Sequence, residues 1–405
     1  MPEQTKKFDT IIIGAGAAGL MCAAHAGRNT LVLEHMPKPG EKIRISGGGR
    51  CNFTNLYSGP ENFLSLNPHF AKSALSRYTQ WDFIDLVARH GIGWHEKTLG
   101  QLFCDESSQN IIDMLLAEMH GAGARLWLST SVDGVKRQDD GFAVFVNRNG
   151  LGQTLLARNL VVACGGKSIP KIGASDLGYR IARQFDHAVT ETRPGLVPLT
   201  FGAEARFSAM SGLACPARVV AGGAGFDEAL LFTHRGLSGP AILQASSYWR
   251  EGEEIAVTLL PQSDILGHLR TTRSAAGRKE VATVLAEVMP KRLAQFFAER
   301  AGVDGRLADQ SDACLEHLVA QLVDWRLKPT GSEGYRKAEV TLGGVDTNGL
   351  NSRTMESRTV PGLFFIGEVV DVAGWLGGYN FQWAWSSGWS AGQAITASIS
   401  DRRGP

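Results

Sequence analysis

Apolar residues near the start of the chain form a β-branched run, Phe8-Asp9-Thr10-Ile11-Ile12-Ile13, of the kind buried on both faces of a parallel sheet. The run enters Gly14-Ala15-Gly16-Ala17-Ala18-Gly19 and a helical stretch to about Arg28. A second strand-like run, Thr30–Leu33, ends at Glu34 and His35. Helical spacing returns at about 69–90 and 107–121, followed by strand-like runs at 125–136, 142–147, 153–157 and 160–164, and a helix at 175–183. From about 188 the texture changes to short β-like segments at 196–202, 217–221, 229–234 and 255–260, separated by glycine-rich turns. Residues 262–323 lose that character. There Val281, Leu285, Val288, Leu293 and Phe297 recur three or four positions apart and predict helices. Strand-like runs reappear at 337–340 and 363–366, and a last helix is predicted over 381–398. Strands alternating with helices at both ends predict an α/β fold.

The N-terminal pattern is a complete dinucleotide fingerprint: strand, GxGxxG, helix, strand, acid. Gly14 permits the tight turn, Gly16 removes a side chain that would block a pyrophosphate, and Gly19 lets the helix approach the sheet. Ala17 and Ala18 open the helix, whose unpaired N–H groups favour phosphate. Glu34 lies 20 residues after Gly14, the reach expected for an adenosine ribose. A carboxylate there disfavours a 2′-phosphate, so FAD or NAD is expected over NADP.

The next segment separates FAD from NAD. A simple NAD domain would continue its strand–helix alternation. Instead Lys42-Ile43-Arg44-Ile45-Ser46-Gly47-Gly48-Gly49-Arg50-Cys51-Asn52 forms a three-glycine loop edged by cations and amides. A second loop contacting a cofactor explains it better than an ordinary surface loop. The strand ending in Gly165-Gly166 places more backbone near the ligand crevice. The paired Gly377-Gly378 before Tyr379 and Asn380 is expected to expose N–H groups where the last helix dipole favours negative charge. Trp385 and Trp389 read as packing of that helix. Ser238 and Pro240 read as cap and first turn of a helix near 241–249.

Composition narrows the function classes. The 41 basic and 40 acidic residues leave a net charge of +1, which supplies no field for a polyphosphate backbone, so nucleic acid is not an expected partner. Six cysteines, at 22, 51, 104, 164, 215 and 314, form no CxxC and no metal-ligand pattern, which fits a reducing cytoplasm and no metal. No apolar stretch is long enough to cross a bilayer, and glycines interrupt the run that would otherwise resemble a signal peptide.

The blocks IIIGAGAAGL, ISGGGRCNFTN, ACGGKSIPKIGASDLGY, THRGLSGPAILQ, TLGGV and FFIGEVVDVAGWLGGYNFQWAWSSG together resemble the BaiN-like or YhiN-like flavoproteins, also described as aminoacetone-oxidase-like FAD-binding enzymes. The resemblance covers almost the whole chain. It implies a Rossmann-like FAD-binding domain built from both chain ends, with a β-barrel-like middle domain and a small helical insertion. The corresponding boundaries are 1–187, 188–261, 262–325, 326–352 and 353–405, the first and last being the FAD-binding parts and 262–325 the insertion. By similarity, Gly14, Gly16, Gly19 and Glu34 hold the ADP half of non-covalent FAD. Arg44, Ser46, Gly48, Arg50, Cys51 and Asn52 line the flavin side. Gly367, Glu368 and Asp371 approach the pyrophosphate or ribityl chain, and Gly377, Gly378, Tyr379 and Asn380 approach the isoalloxazine. One departure bears on specificity: where relatives commonly read near GRxFP, this chain has Gly100-Gln101-Leu102-Phe103-Cys104-Asp105.

The expected activity is hydride transfer through FAD, NAD(P)H-linked and directed at an activated C=C bond of a small organic molecule, with NAD(P)H docking transiently. The alternatives are an oxygen-linked amine or small-molecule oxidase, and a non-catalytic FAD-binding or redox-sensing module. His234 and Arg235 are the substrate-facing candidates, Arg235 for a developing oxyanion and His234 for a proton; a local structural role is the competing reading. For Cys51 a packing or flavin-environment role is preferred, with thiol chemistry favoured by Arg50 as the tentative second.

Overall fold

The N-terminal run forms the strand Lys6–Ile13, and its inner residues Ile11, Ile12 and Ile13 are buried. Burial on both faces follows from its place inside a seven-stranded sheet of order Arg125–Trp127, Thr30–Leu33, Lys6–Ile13, Leu151–Val162, Gly141–Arg148, Thr130–Gln138, with Leu363–Phe365 also paired to Leu151–Val162. One long strand makes the junction. Leu151–Val162 pairs antiparallel with Gly141–Arg148 through Leu151 to Ala157, then parallel with Leu363–Phe365 through Leu160 to Val162. It also runs parallel to the first strand, with Ile11 opposite Leu160 and Ile13 opposite Val162. Three loops, after Ile13, Leu33 and Val162, therefore leave the same edge of the sheet.

The computed structural model describes residues 6–205 and 207–403. It divides into two units, 1–193 with 340–405, and 194–339. The second unit carries an antiparallel seven-stranded sheet of order Trp325–Leu327, Ile255–Leu259, Ala214–Ala221, Ala224–Phe232, Gly236–Ser238, Leu199–Thr200, Gly331–Ser332. Four helices, Ile265–Ala276, Val281–Leu285, Lys291–Ala301 and Asp312–Val323, lie between two of its neighbouring strands.

Several predicted boundaries shift for local reasons. The helix expected over 69–90 is two, Ala71–Arg77 and Gln80–Arg89. Tyr78 is extended there, and Thr79 caps the second helix while its own N–H donates to Asp82 Oδ2 at 2.7 Å. The helical spacing that runs from Val281 to Phe297 is broken before Pro290, which precedes Lys291–Ala301. Ser238 is not a cap: the cap position is Gly239, at φ +87°, with Pro240 in the first turn. The strand expected at 337–340 is Val340–Leu342.

The long closing helix Tyr379–Arg403 packs on the short helix Ala17–Ala23. A Cβ on Gly388 would stand 2.5 Å from the Ala18 carbonyl oxygen, and one on Gly392 would stand 2.8 Å from that of Cys22. Close backbone approach leaves no room for a methyl group. Gly388→Ala is therefore expected to lower stability by about 1–3 kcal/mol, the usual cost of overpacking. Gly121, at the end of the helix Ser108–Gly121, has nothing within 4 Å of a built Cβ. Gly121→Ala should be neutral or stabilising by up to about 1 kcal/mol. Thermal melts of the two variants against the parent check the contrast.

Candidate active site

The glycines of the first loop do different work. Gly14 has φ +111°, and a Cβ there would overlap the Ala163 carbonyl oxygen. A Cβ on Gly19 would overlap the Gly14 carbonyl and reach Ala163 Cβ at 3.3 Å. Both are demanded by the fold. Gly16 is different: nothing in the protein lies within 4 Å of a built Cβ, and its φ of −82° is open to any residue. Its missing side chain faces space suited to a ligand. Gly16 also begins the helix Ala17–Ala23 without a side-chain cap, so the first-turn N–H groups point toward that space.

Glu34 ends the strand Thr30–Leu33 and is nearly buried. Its Oε2 accepts from the Ala15 N–H at 2.9 Å, and its Oε1 accepts from the Met36 N–H at 2.9 Å and lies 3.0 Å from His35 Nδ1. Burial pushes the carboxyl up, but the bonds from His35, Met36 and Ala15 outweigh it and hold the group below its usual range. The bond to Glu34, opposed by burial, raises His35 in turn. Glu34 thus ties the glycine loop to the second strand and keeps its charge beside the open face of Gly16.

The three-glycine loop is a left-handed turn, with φ +57° at Gly47, +66° at Gly48 and +89° at Gly49. Gly47 is packed: a Cβ would stand 2.8 Å from Phe103 and 2.9 Å from the Asn52 nitrogen. Gly48 and Gly49 face open space, and so does Gly165 at φ +71°. Arg50 is exposed beside them. Arg44 is committed to the protein, bonding Gln109 Oε1 and the Pro39 carbonyl. The Ser46 hydroxyl donates to the Ile43 carbonyl at 2.9 Å, and the Asn52 amide meets the Gln101 side chain at 3.2 Å. Cys51 is fully buried at φ +52°. Burial pushes its thiol well up, against a lowering by the Ser46 hydroxyl, which opposes the thiolate chemistry weighed second to packing; burial also pushes Cys104 up to about 12.

Lys42 and Glu368 meet in an ion pair inside a polar cluster. Ser168 Oγ lies 3.1 Å from Lys42 Nζ and donates to Glu368 Oε1 at 2.9 Å, which also accepts the Thr341 N–H at 2.9 Å. Thr341 Oγ1 in turn accepts the N–H groups of Lys167 and Ser168 at 2.8 and 3.2 Å. This cluster fixes the loop after Val162, and a Cβ on Gly166 would collide with Thr341 and Glu368. In the protein itself the Glu368 carboxylate braces this loop through Lys42, Ser168 and Thr341. The only sequence signal for Ser168 and Thr341 is their proximity to paired glycines.

The C-terminal motif is also more structural than expected. A Cβ on Gly378, at φ +98°, would overlap the Thr54 backbone, and one on Gly377, at φ +110°, would stand 3.0 Å from the Gln101 side chain. Packing therefore does explain the paired glycines. Asn380 closes its own loop, accepting the Gly374 N–H and donating to the Gly374 carbonyl, both at 2.8 Å. Tyr379 is buried with its ring edge-on to Phe63. Asp371 accepts the Leu66 N–H at 3.0 Å, and burial raises its carboxyl against that bond. Gly367 is held by Ser387 Oγ on its N–H and by the Trp383 indole on its carbonyl, each at 3.0 Å.

In the second unit, His234 and Arg235 are exposed on a turn whose backbone is satisfied by Thr233, not by His234: Thr233 Oγ1 accepts the N–H groups of Arg235 and Gly236 at 3.3 and 3.1 Å.

Residues 8–394 match the family described as HI0933-like protein Rossmann domain. The chain is 52% identical over 402 residues to the ribosomal RNA dihydrouridine synthase of Escherichia coli K12, covering 98% of this chain and all of that one. It is 47% identical to the protein of the same name from Haemophilus influenzae, over 96% of this chain and 98% of that one. Among solved structures, it resembles the 3-ketosteroid-Δ4-(5α)-dehydrogenase of Rhodococcus jostii in fold, with a TM-score of 0.51 at 16% identity over 98% of each chain. The names of the two bacterial relatives overturn the expectation that nucleic acid is no partner and that the substrate is a small molecule. Net charge sums the whole surface and is blind to uncharged contacts such as stacking. Among the described residues no helix is long and apolar enough to cross a membrane. The chain belongs to the HI0933-like family of Rossmann-domain flavoproteins and is an FAD-dependent oxidoreductase.

Proposed function

We propose that this protein reduces a uridine of ribosomal RNA to dihydrouridine, using NAD(P)H as the transient electron donor, in the cytoplasm. The end-to-end identity of 52% to a protein named for that reaction carries the reading. Bound FAD would supply the two-electron store that side chains lack. The residues fit it: Gly16 and the N-terminus of Ala17–Ala23 would hold the pyrophosphate, Glu34 the adenosine side, and Gly48, Gly49 and Gly165 would let the rest of the cofactor approach the backbone.

The substrate double bond, C5=C6 of uracil, is conjugated to the C4 carbonyl. Hydride addition at C6 places negative charge on O4, and a proton must reach C5. Those two needs match a cation and a titratable ring, the chemistry that Arg235 and His234 carry. Cys51 is a poorer proton donor because burial holds its proton tightly.

Gly16→Val is expected to leave folding intact and abolish FAD retention, whereas Gly14→Val and Gly19→Val should fail to fold. Flavin absorbance and circular dichroism of the three purified variants check this. The reaction is tested by incubating the FAD-loaded protein anaerobically with NADH or NADPH and protein-free rRNA from cells lacking it. One uridine should gain two hydrogens by mass spectrometry; no gain with either donor would sink the reading. Arg235→Ala should slow that conversion at least tenfold at unchanged FAD content, and equal rates would remove Arg235 from the site.

A further inference from the structure

The motif that departs from the family pattern lies around Gly100-Gln101. It forms the tip of a small hairpin, between the strands Trp94–Glu96 and Gln101–Cys104. Leu99 at that tip is held at φ +50°, a left-handed conformation that costs a bulky residue energy, and it is 57% exposed. Neither core packing nor turn chemistry explains a strained, exposed leucine where glycine or asparagine would be comfortable. Tyr57, 66% exposed, lies against the same tip: a Cβ on Gly100 would stand 2.7 Å from its ring.

A single buried side chain fixes this arrangement. Asn55 Nδ2 donates to the Leu99 carbonyl at 3.0 Å and to the Gly377 carbonyl at 2.9 Å, while its Oδ1 accepts the Tyr57 N–H at 2.9 Å. Leu56 N–H adds a bond to the Gly100 carbonyl at 2.9 Å. Strained tip, exposed ring and the 377–380 turn are thereby locked as one rigid body. Lys97 is exposed on the same hairpin, with its ammonium 5.4 Å from the Phe103 ring centre.

We infer that Tyr57 and Leu99 form a platform on which a nucleobase of the RNA, adjacent to the target uridine, stacks as that uridine enters the site. The inference rests on the reading of the protein as an rRNA-reducing enzyme. Its physical ground is the near-neutral charge: with 41 basic against 40 acidic residues, phosphate attraction over the whole surface is weak, so contacts that need no field must supply affinity. An aromatic ring on a rigid support does this, since every base has a face to stack.

The test compares the parent protein with Tyr57→Ala, Tyr57→Phe and Leu99→Gly, on protein-free rRNA from cells lacking the protein. Tyr57→Ala should raise the KM for rRNA about tenfold, from the loss of one stacked base, at unchanged FAD content and melting temperature. Tyr57→Phe should retain the parent KM. Leu99→Gly relieves the strained φ, so it should melt no lower than the parent and still raise the KM; a merely structural role predicts no such split. Parent protein that reduces rRNA, together with an unchanged KM in both Tyr57→Ala and Leu99→Gly, overturns the platform and leaves the function standing. Parent protein that neither binds nor reduces rRNA overturns both. A defect of Tyr57→Ala on intact ribosomal particles but not on protein-free rRNA makes the contact one with protein, and also overturns the platform.

Discussion

The short helix Ala17–Ala23 is gripped on both sides by backbone. On the sheet side, Gly14 and Gly19 remove the side chains that would hold it away from the Ala163 strand end. On the other side, Gly388 and Gly392 bring the closing helix against the carbonyls of Ala18 and Cys22. The first turn of the helix is therefore fixed to within the tolerance of backbone contact, and the open face of Gly16 is the one place in this stack where the protein supplies nothing. A cofactor phosphate needs such a fixed set of N–H groups, since donors positioned in advance lose little entropy on binding.

The closing helix does more than cover the sheet. Its buried Gln382 accepts from Thr54 Oγ1 at 2.7 Å and donates to the Tyr78 carbonyl at 3.1 Å, and Ser386 reaches the same carbonyl at 2.7 Å. Trp385 donates to the Phe53 carbonyl at 2.8 Å and stacks on Phe83 with 4.4 Å between ring centres. A buried polar group is tolerated only when its hydrogen bonds are made, so each of these residues fixes a particular neighbour rather than merely filling volume. Chain segments more than 300 residues apart are joined this way, at Thr54 with Gln382 and Phe53 with Trp385. The strand Asn52–Asn55 carries that order to the hairpin bearing Leu99.

Net charge and base recognition act over different distances. A balance of charges bounds the long-range field and the salt dependence of binding, but not the short-range contacts by which a base is recognised. The sum of 41 and 40 charges gave no view of an exposed ring beside a glycine tip.

By itself, the sequence determined the central parallel strands at 6–13, 30–33 and 363–365 and the nucleotide loop, because parallel strands buried on both faces leave an unbroken apolar run and the phosphate turn needs glycine at fixed intervals. It also marked Gly16, Gly48, Gly49 and Gly165 as cofactor-facing, alongside Gly47, Gly166, Gly377 and Gly378, without separating the two groups. Only the tertiary structure could divide them, because a glycine that borders open space and one that makes room for another segment are the same letter. Thr54, Phe103, Gln101 and Thr341 occupy the space beside the second group and lie far from it in sequence. The same holds for charge: the sequence does not show that Arg44, Lys42 and Glu368 meet Gln109, Ser168 and Thr341 in the fold. Spacing along the chain encodes local conformation, whereas the partner of a side chain is set by which distant segments the closed fold brings within bonding distance.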